Sequence, residues 1–287
     1  MTAILDHLAI GTLSLSDGWE LFGGVLGGTW AYGGDSPGFW WGQLEFAEGP
    51  KIEMLTPTGG PEAGFLERFL AARGAGPHHF NFLVTDIEDV LARIRAFGIE
   101  PVGVNLASPY WKEAFIHPRD AHGIVVQVAQ QAGSPTSPPP AELPAPGLPS
   151  RLDLIEHHVG DLDGAVRLFR DVLDGRLDVA EAGAAELTWP GGRRVRLVRE
   201  DGLPLGGALR LFRDVLDGQL DGADAETAEL TWPGGSRVRL VRKDGLPLGG
   251  ALNRVRFSRG RGGYGTGDRE RAGLLASRLG LTVELAD

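Results

Sequence analysis

The sequence predicts an α+β protein built from paired βαβββ modules. Three observations predict it. The order strand, helix, strand, strand, strand occurs twice within residues 1–130. The same order begins again after residue 150. A proline-rich stretch separates the two regions.

The first half opens with Leu5-Asp6-His7-Leu8-Ala9-Ile10, a short apolar run suited to a strand. Leu21, Phe22, Val25 and Leu26 recur at helical spacing, so residues 16–26 are expected to be helical, and Gly27-Gly28 ends that helix. Strands are expected at 29–32, 39–46 and 51–55, then a connecting helix at 62–73 with Phe65, Leu66, Phe69 and Leu70 on one face. The second half starts at Pro77-His78-His79-Phe80-Asn81-Phe82. A helix follows at 87–97, with Val90, Leu91, Ile94 and Phe97 on one face, and strands at 100–104, 111–117 and 123–129 complete it.

Residues 131–150 carry seven prolines, little charge and no aromatic residue. That composition reads as an extended, semi-rigid linker. Beyond it, 151–287 begins like the first module: a strand around Asp153-Leu154-Ile155, a helix at 162–173, and strands at 177–179, 185–189 and 194–198. Residues 167–209 then return as 210–252, with a period of 43 residues and seven differing positions. So close a copy is unlike a solenoid, whose units diverge and stack in larger numbers. It is a partial duplication, and the second copy is read as an insertion. The tail offers a strand at 252–258, a helix at 269–279 and a strand at 281–285, so a second half would lack its last two strands.

The chain has 287 residues, room for one large or two ordinary domains, and is 42% hydrophobic, enough for real cores. A net charge of −10 argues against a nucleic-acid partner. The absence of cysteine excludes disulfides, thiolate metal sites and thiol nucleophiles. No apolar run reaches the roughly 20 residues of a membrane span, and no secretory signal is evident. A soluble cytoplasmic protein without membrane partners is the expectation.

Chemistry concentrates in four strands. His7, Glu53, His79 and Gln127 each place one metal-competent side chain in an apolar segment. Two imidazoles, a carboxylate and an amide oxygen suit a divalent cation with room for substrate. A single strand histidine is more often structural; the joint pattern favours ligation. His78 should face away from His79, and His117 and His122 flank a turn. Trp40 and Trp41 are adjacent, so only one can face a cavity, and core packing is the competing role for each. Trp41, Tyr110 and Trp111 are the candidate substrate-pocket residues.

Residues 1–130 resemble the vicinal oxygen chelate superfamily, which includes glyoxalase I, methylmalonyl-CoA epimerase, extradiol dioxygenases and antibiotic-resistance proteins. The stretches that carry the resemblance are Asp6-His7-Leu8-Ala9-Ile10, Glu53-Met54-Leu55-Thr56-Pro57, Gly76-Pro77-His78-His79-Phe80, Thr85-Asp86-Ile87, and residues 117–127 from His117-Pro118 to Gln127. Methylmalonyl-CoA epimerase is the nearest pattern. The resemblance implies curved, mainly antiparallel sheets around a metal cavity, with His7, Glu53, His79 and Gln127 as ligands of a Co, Mn, Ni, Zn or Fe ion. The epimerase pattern has an amide at the Glu53 position and a glutamate at the Gln127 position; here they are exchanged. That makes Glu53 the candidate catalytic base and Gln127 a neutral ligand. The implied activity is metal-dependent proton transfer α to a carbonyl, on a small-molecule carbonyl or acyl-CoA-like substrate. A glyoxalase-type lyase, an extradiol-type dioxygenase and a non-catalytic binding protein are the alternatives.

Aligned on Asp161-Leu162, the C-terminal region has Leu154 at the first ligand position and Val195-Arg196-Leu197 where Glu53 would fall. It is read as a module that has lost the site and serves packing, homodimerisation or as a lid. The run from Arg256 to Gly263 is read as a solvated loop.

Overall fold

A computed structural model describes residues 3–60, 63–133, 136–200, 219–223, 227–231, 237–241, 251–259 and 263–286. The fold is mixed α+β and dominated by strands. The first sheet contains β1 (Ile4–Gly11), β2 (Thr29–Ser36), β3 (Phe39–Glu45), β4 (Lys51–Pro57), β5 (Gly76–Leu83), β6 (Val102–Asn105), β7 (Trp111–Ile116) and β8 (Val125–Gln131). Its order is β2-β3-β4-β1-β5-β8-β7-β6. In each half three strands run antiparallel, and the last lies parallel to the first, β4 on β1 and β8 on β5. The halves join through the antiparallel β1–β5 pair. This is the expected βαβββ pairing, and it sets the first and last strands of both halves side by side at the centre.

The second sheet contains β9 (Ser150–Val159), β10 (Arg176–Glu181), β11 (Ala184–Trp189), β12 (Arg193–Arg199), β16 (Ala251–Arg259) and β17 (Thr282–Ala286), in the order β10-β11-β12-β9-β16-β17. One expectation needs refining. The sequence reading has the strand expected at 281–285 as one after which the last two strands of a second half are missing. That strand pairs parallel with β16, the slot that β8 takes beside β5. Three further strands, β13 (Gln219–Ala223), β14 (Thr227–Thr231) and β15 (Arg237–Val241), form a sheet of their own. They are the second copy of β10–β12. They reproduce its register residue for residue: Leu177↔Leu187 becomes Leu220↔Leu230, and the shift after Leu177 returns after Leu220. The helical part of that copy, 210–216, lies outside the described residues.

Helix α1 begins at Leu15–Gly18 and runs on in π-helical form through Trp19–Val25. Helices α2 (Gly64–Arg73) and α3 (Ile87–Ala96) follow, then α4, which begins at Leu162–Arg167 and continues through Leu168–Val172, and α5 (Thr266–Arg278). Ser14, Asp86 and Asp161 cap α1, α3 and α4, each side chain accepting from a backbone N–H of the first turn. No helix among the described residues is long and apolar enough to cross a membrane.

α1 meets α5 and α3 meets the end of α4, so helices from both regions share one layer. Phe80 and Phe82 of β5 pack edge-on against Phe169 of α4, and Phe82 against Trp189 of β11. Phe257 of β16 meets Phe22 and Phe46. One apolar cluster therefore runs through both regions. Polar ties reinforce it: Arg93 donates to Asp174 at 2.7 Å, and Arg259 donates to the Val25 carbonyl at 2.6 Å. The arginine run at 256–263 is thus not simply a loop. Arg256 and Arg259 lie in β16, and Arg259 is buried between the regions; residues 260–262 lie outside the described ones.

The proline-rich segment is not a free spacer. Ser137 accepts from Trp30 Nε1 at its carbonyl and from the Gly33 N–H at its hydroxyl. Gly147 donates its N–H to the Gly23 carbonyl. The segment therefore rests on β2, the outer strand of the first sheet, at Ser137 and on α1 at Gly147.

Candidate metal centre

His7 and His79 sit in β1 and β5, each seven residues before its helix cap, Ser14 and Asp86. Glu53 is in β4, where the parallel register sets it beside Ala9. All three are buried. His7 Nε2 lies 3.5 Å from Glu53 Oε2, and His79 Nε2 lies 3.9 Å from Glu53 Oε1. One donor atom from each of the three falls within 4.8 Å of the others.

A β-bulge at Asp6 shapes this site. Leu5 pairs with Phe82 and His7 with Asn81, leaving Asp6 as the extra residue. A regular strand would turn Asp6 to the far face. The bulge lets its Oδ2 accept from His7 Nδ1 at 2.8 Å, while Oδ1 accepts from Lys51 at 2.8 Å. Burial alone would raise the Asp6 carboxyl; the His7 ring and the Lys51 ammonium outweigh it and hold it down at about 2. In a neutral His7 ring, an Nδ1–H donated to Asp6 leaves the lone pair at Nε2. Burial first, then the neighbouring His78 and His7 rings, hold His79 well below the ordinary imidazole range.

Both Nε2 atoms are buried and have no hydrogen-bond partner among the described residues. Glu53 receives one strong donor, Gln43 Nε2 at 2.7 Å from Oε2. Two buried, unpartnered ring nitrogens and a carboxylate thus converge, with the Gln43 N–H donated to the carboxylate. A buried group of acceptors is repulsive unless a cation joins it. The residues therefore fit a divalent metal, with His7, His79 and Glu53 to hold it.

Gln127 lies beside them. It faces Asn81 in the β5–β8 register, and its side chain lies against the His79 ring. Its Oε1 accepts from Asn81 Nδ2 at 2.7 Å, and its Nε2 donates to Glu113 Oε2 at 2.7 Å. Trp41 lies on the Gln43 side of β3 and meets Tyr32 edge-on at 5.2 Å, whereas Trp40 turns the other way to Trp19 and Trp30. Trp111 donates to Glu113 at 2.8 Å. Tyr110 is 73% exposed and lies outside the cluster. His78 packs on Phe65 and Phe69 of α2, yet it does not face away from His79 as strand alternation predicts: its Nδ1 lies 2.9 Å from the Nδ1 of His79, and burial together with nearby Arg73 brings it down to about 4.

Five further residues build the site without having been singled out in the sequence: Asp6, Gln43, Asn81, Glu113 and Tyr32. Gln43 and Asn81 carried a usable signal, a polar residue inside an otherwise apolar strand. Asp6 did not, because only the bulge brings it round. Tyr32 reaches across from β2 to Gln131 of β8, its hydroxyl donating at 3.4 Å. Burial first, then the Asp6 and Glu53 carboxylates, push its phenol above the usual range. It therefore stays a neutral donor.

Residues 6–115 match the family model described as the Glyoxalase/Bleomycin resistance protein/Dioxygenase superfamily. Over that stretch the chain is similar to this superfamily. Among curated proteins none matches the chain. Of solved structures, a protein of undefined function from Staphylococcus aureus is similar over 90% of this chain and 92% of its own, with 11% identity and a TM-score of 0.53. A variant of 4-hydroxymandelate synthase from Streptomyces coelicolor is similar over 96% of this chain and 75% of its own, with 11% identity and a TM-score of 0.53. Both show that the two-sheet fold is one these proteins share. Methylmalonyl-CoA epimerase from Mycobacterium tuberculosis is similar over 45% of this chain and 89% of its own, with 24% identity and a TM-score of 0.41.

The C-terminal sheet repeats the strand geometry of the first sheet without its candidate ligands. Counting seven residues back from the Asp161 cap reaches Leu154. Glu156 pairs with Arg196 as Ala9 pairs with Glu53. Leu154 and Arg196 therefore stand where His7 and Glu53 stand in the first sheet, and Arg196 is tied to Glu181 at 3.2 Å.

Proposed function

We propose that the protein is a metal-dependent enzyme of proton transfer α to a carbonyl, of the kind methylmalonyl-CoA epimerase performs. The observation that carries this is the convergence of the unpartnered Nε2 atoms of His7 and His79 on the Glu53 carboxylate. A divalent cation bound there would polarise a substrate carbonyl and acidify the neighbouring C–H. Glu53 is the base: Gln43 holds its Oε2, which leaves Oε1 to take the proton. Asp6 keeps the His7 ring in one tautomer, and Tyr32 offers a neutral O–H to the charge that develops on oxygen. Gln127 is a neutral fourth ligand, and Trp41 and Trp111 are walls of the substrate site. The substrate is a small carbonyl compound or an acyl thioester, and the region from 151 onward serves packing.

One observation favours a second reading. Two histidines and one carboxylate are also the set used by non-haem Fe(II) oxygenases. Elemental analysis of the purified protein beside His7→Ala and Glu53→Ala tests both. Near-stoichiometric metal in the wild type, lost in both variants, is expected. Entry of solvent deuterium at a substrate α carbon supports proton transfer, and oxygen uptake with a catechol supports the oxygenase. No metal after reconstitution would sink both readings and favour a binding protein.

A further inference from the structure

We propose that Glu113 is a positioning residue: it fixes the Gln127 amide so that its oxygen, and not its nitrogen, is presented to the metal centre. This rests on the metal reading of the site. A glutamine side chain has two nearly equivalent ends, and only the carbonyl oxygen is a useful ligand for a hard or borderline cation. Nothing in Gln127 itself decides which end faces His79. Glu113 does. Its Oε2 accepts from Gln127 Nε2 at 2.7 Å and from Trp111 Nε1 at 2.8 Å. A carboxylate accepts and cannot donate, and the indole N–H donates and cannot accept. With Trp111 holding the carboxylate in place, only the Gln127 NH2 group fits against it. Asn81 closes the other side, its Nδ2 donating to Gln127 Oε1 at 2.7 Å. Asn81 is itself fully buried, its own Oδ1 without a partner.

The arrangement mirrors the other half of the sheet with the parts exchanged. There the amide of Gln43 on β3 donates to the carboxylate of Glu53 on β4. Here the amide of Gln127 on β8 donates to the carboxylate of Glu113 on β7. Each half holds one amide–carboxylate pair, but only one carboxylate reaches the centre. The second charge stands one hydrogen bond behind. It polarises the amide and strengthens its oxygen as a donor, as outer carboxylates do for ligating groups.

The test is Co(II) titration of the metal-free full chain, followed by chelator competition and by the visible absorption of the bound ion. Wild type, E113Q and the double variant E113Q/Q127E are compared, with urea unfolding of each metal-free protein as control. E113Q replaces the obligate acceptor by a group able to donate and frees the amide to turn. Its Co(II) affinity is expected to fall about 10- to 100-fold with an altered spectrum, while its urea midpoint stays at the wild-type value. The double variant restores a donor–acceptor pair of reversed sense, and affinity is expected to return. Wild-type affinity and spectrum in E113Q would overturn the proposal and leave the metal site intact. So would a loss of stability with no change in affinity, which would make Glu113 a structural residue. No Co(II) binding by the wild type would instead bring down the metal reading with it.

Discussion

At the scale of single residues, the imidazoles determine how the protein responds to acid. His79 is held well below the ordinary imidazole range, and His78 at about 4, in both cases chiefly by burial. In the unfolded chain each takes up a proton near pH 6.5. Between that value and the folded one the unfolded state binds more protons, so stability is complete above about pH 6.5 and falls as the pH falls, by up to about 1.4 kcal/mol per unit for each histidine. Urea unfolding of the metal-free protein at pH 7 and pH 5 is expected to show the lower midpoint at pH 5, with a smaller difference in His78→Phe. An equal midpoint at both values would refute it. His7, Glu53 and His79 were legible in the sequence because a metal-competent side chain in an apolar strand is conspicuous. Asp6 was not, since its role depends on one extra residue in a ladder. Glu113 was not either, because its partners Gln127 and Trp111 meet only when β7 and β8 pair.

Among the elements, the strand-to-helix turn is the recurring device. His7, His79 and Leu154 all lie seven residues before a side-chain cap, so one local geometry is used three times and carries a histidine twice. The helices were readable from their apolar faces, and α3 falls almost where the spacing placed it. The direction taken by the last strand was not. Its sequence fits any slot beside an apolar neighbour, and only the parallel register with β16 decides. Phe169 shows how an element of one region anchors the other: it is fully buried against Phe80, Phe82 and Trp189. Phe169→Ala is expected to cost about 3–5 kcal/mol. Because the ring is shared, near-UV circular dichroism and tryptophan emission should still report one transition. Two separated transitions would mean that the sheets unfold independently.

For the molecule as a whole, one apolar cluster joins the two sheets and the helices of both regions, and the proline-rich segment rests on β2 and α1. A linker was expected from composition, and composition carries no information about where such a segment rests. The duplication was plain in the sequence; that its strands close on themselves was not. β16 begins with Ala251 and Leu252, the last two residues of the second copy, paired with His158 and His157 of β9. Removing residues 210–252 would bring Ala208 and Leu209, the same two residue types, to that place. The shortened chain is expected to keep the wild-type urea midpoint and metal content. Loss of cooperative unfolding would show that the second copy bears on the rest of the fold.

That exchange of like for like has a genetic side. Two near-identical stretches in tandem are a substrate for homologous recombination, and a crossover between them removes one copy without shifting the reading frame. Because both copies pair their strands in the same register, wherever the crossover falls the joined product is again a well-formed three-strand unit. Contraction of the repeat should therefore be tolerated, and passaged populations carrying this coding sequence are expected to accumulate single-copy alleles with no loss of folded protein.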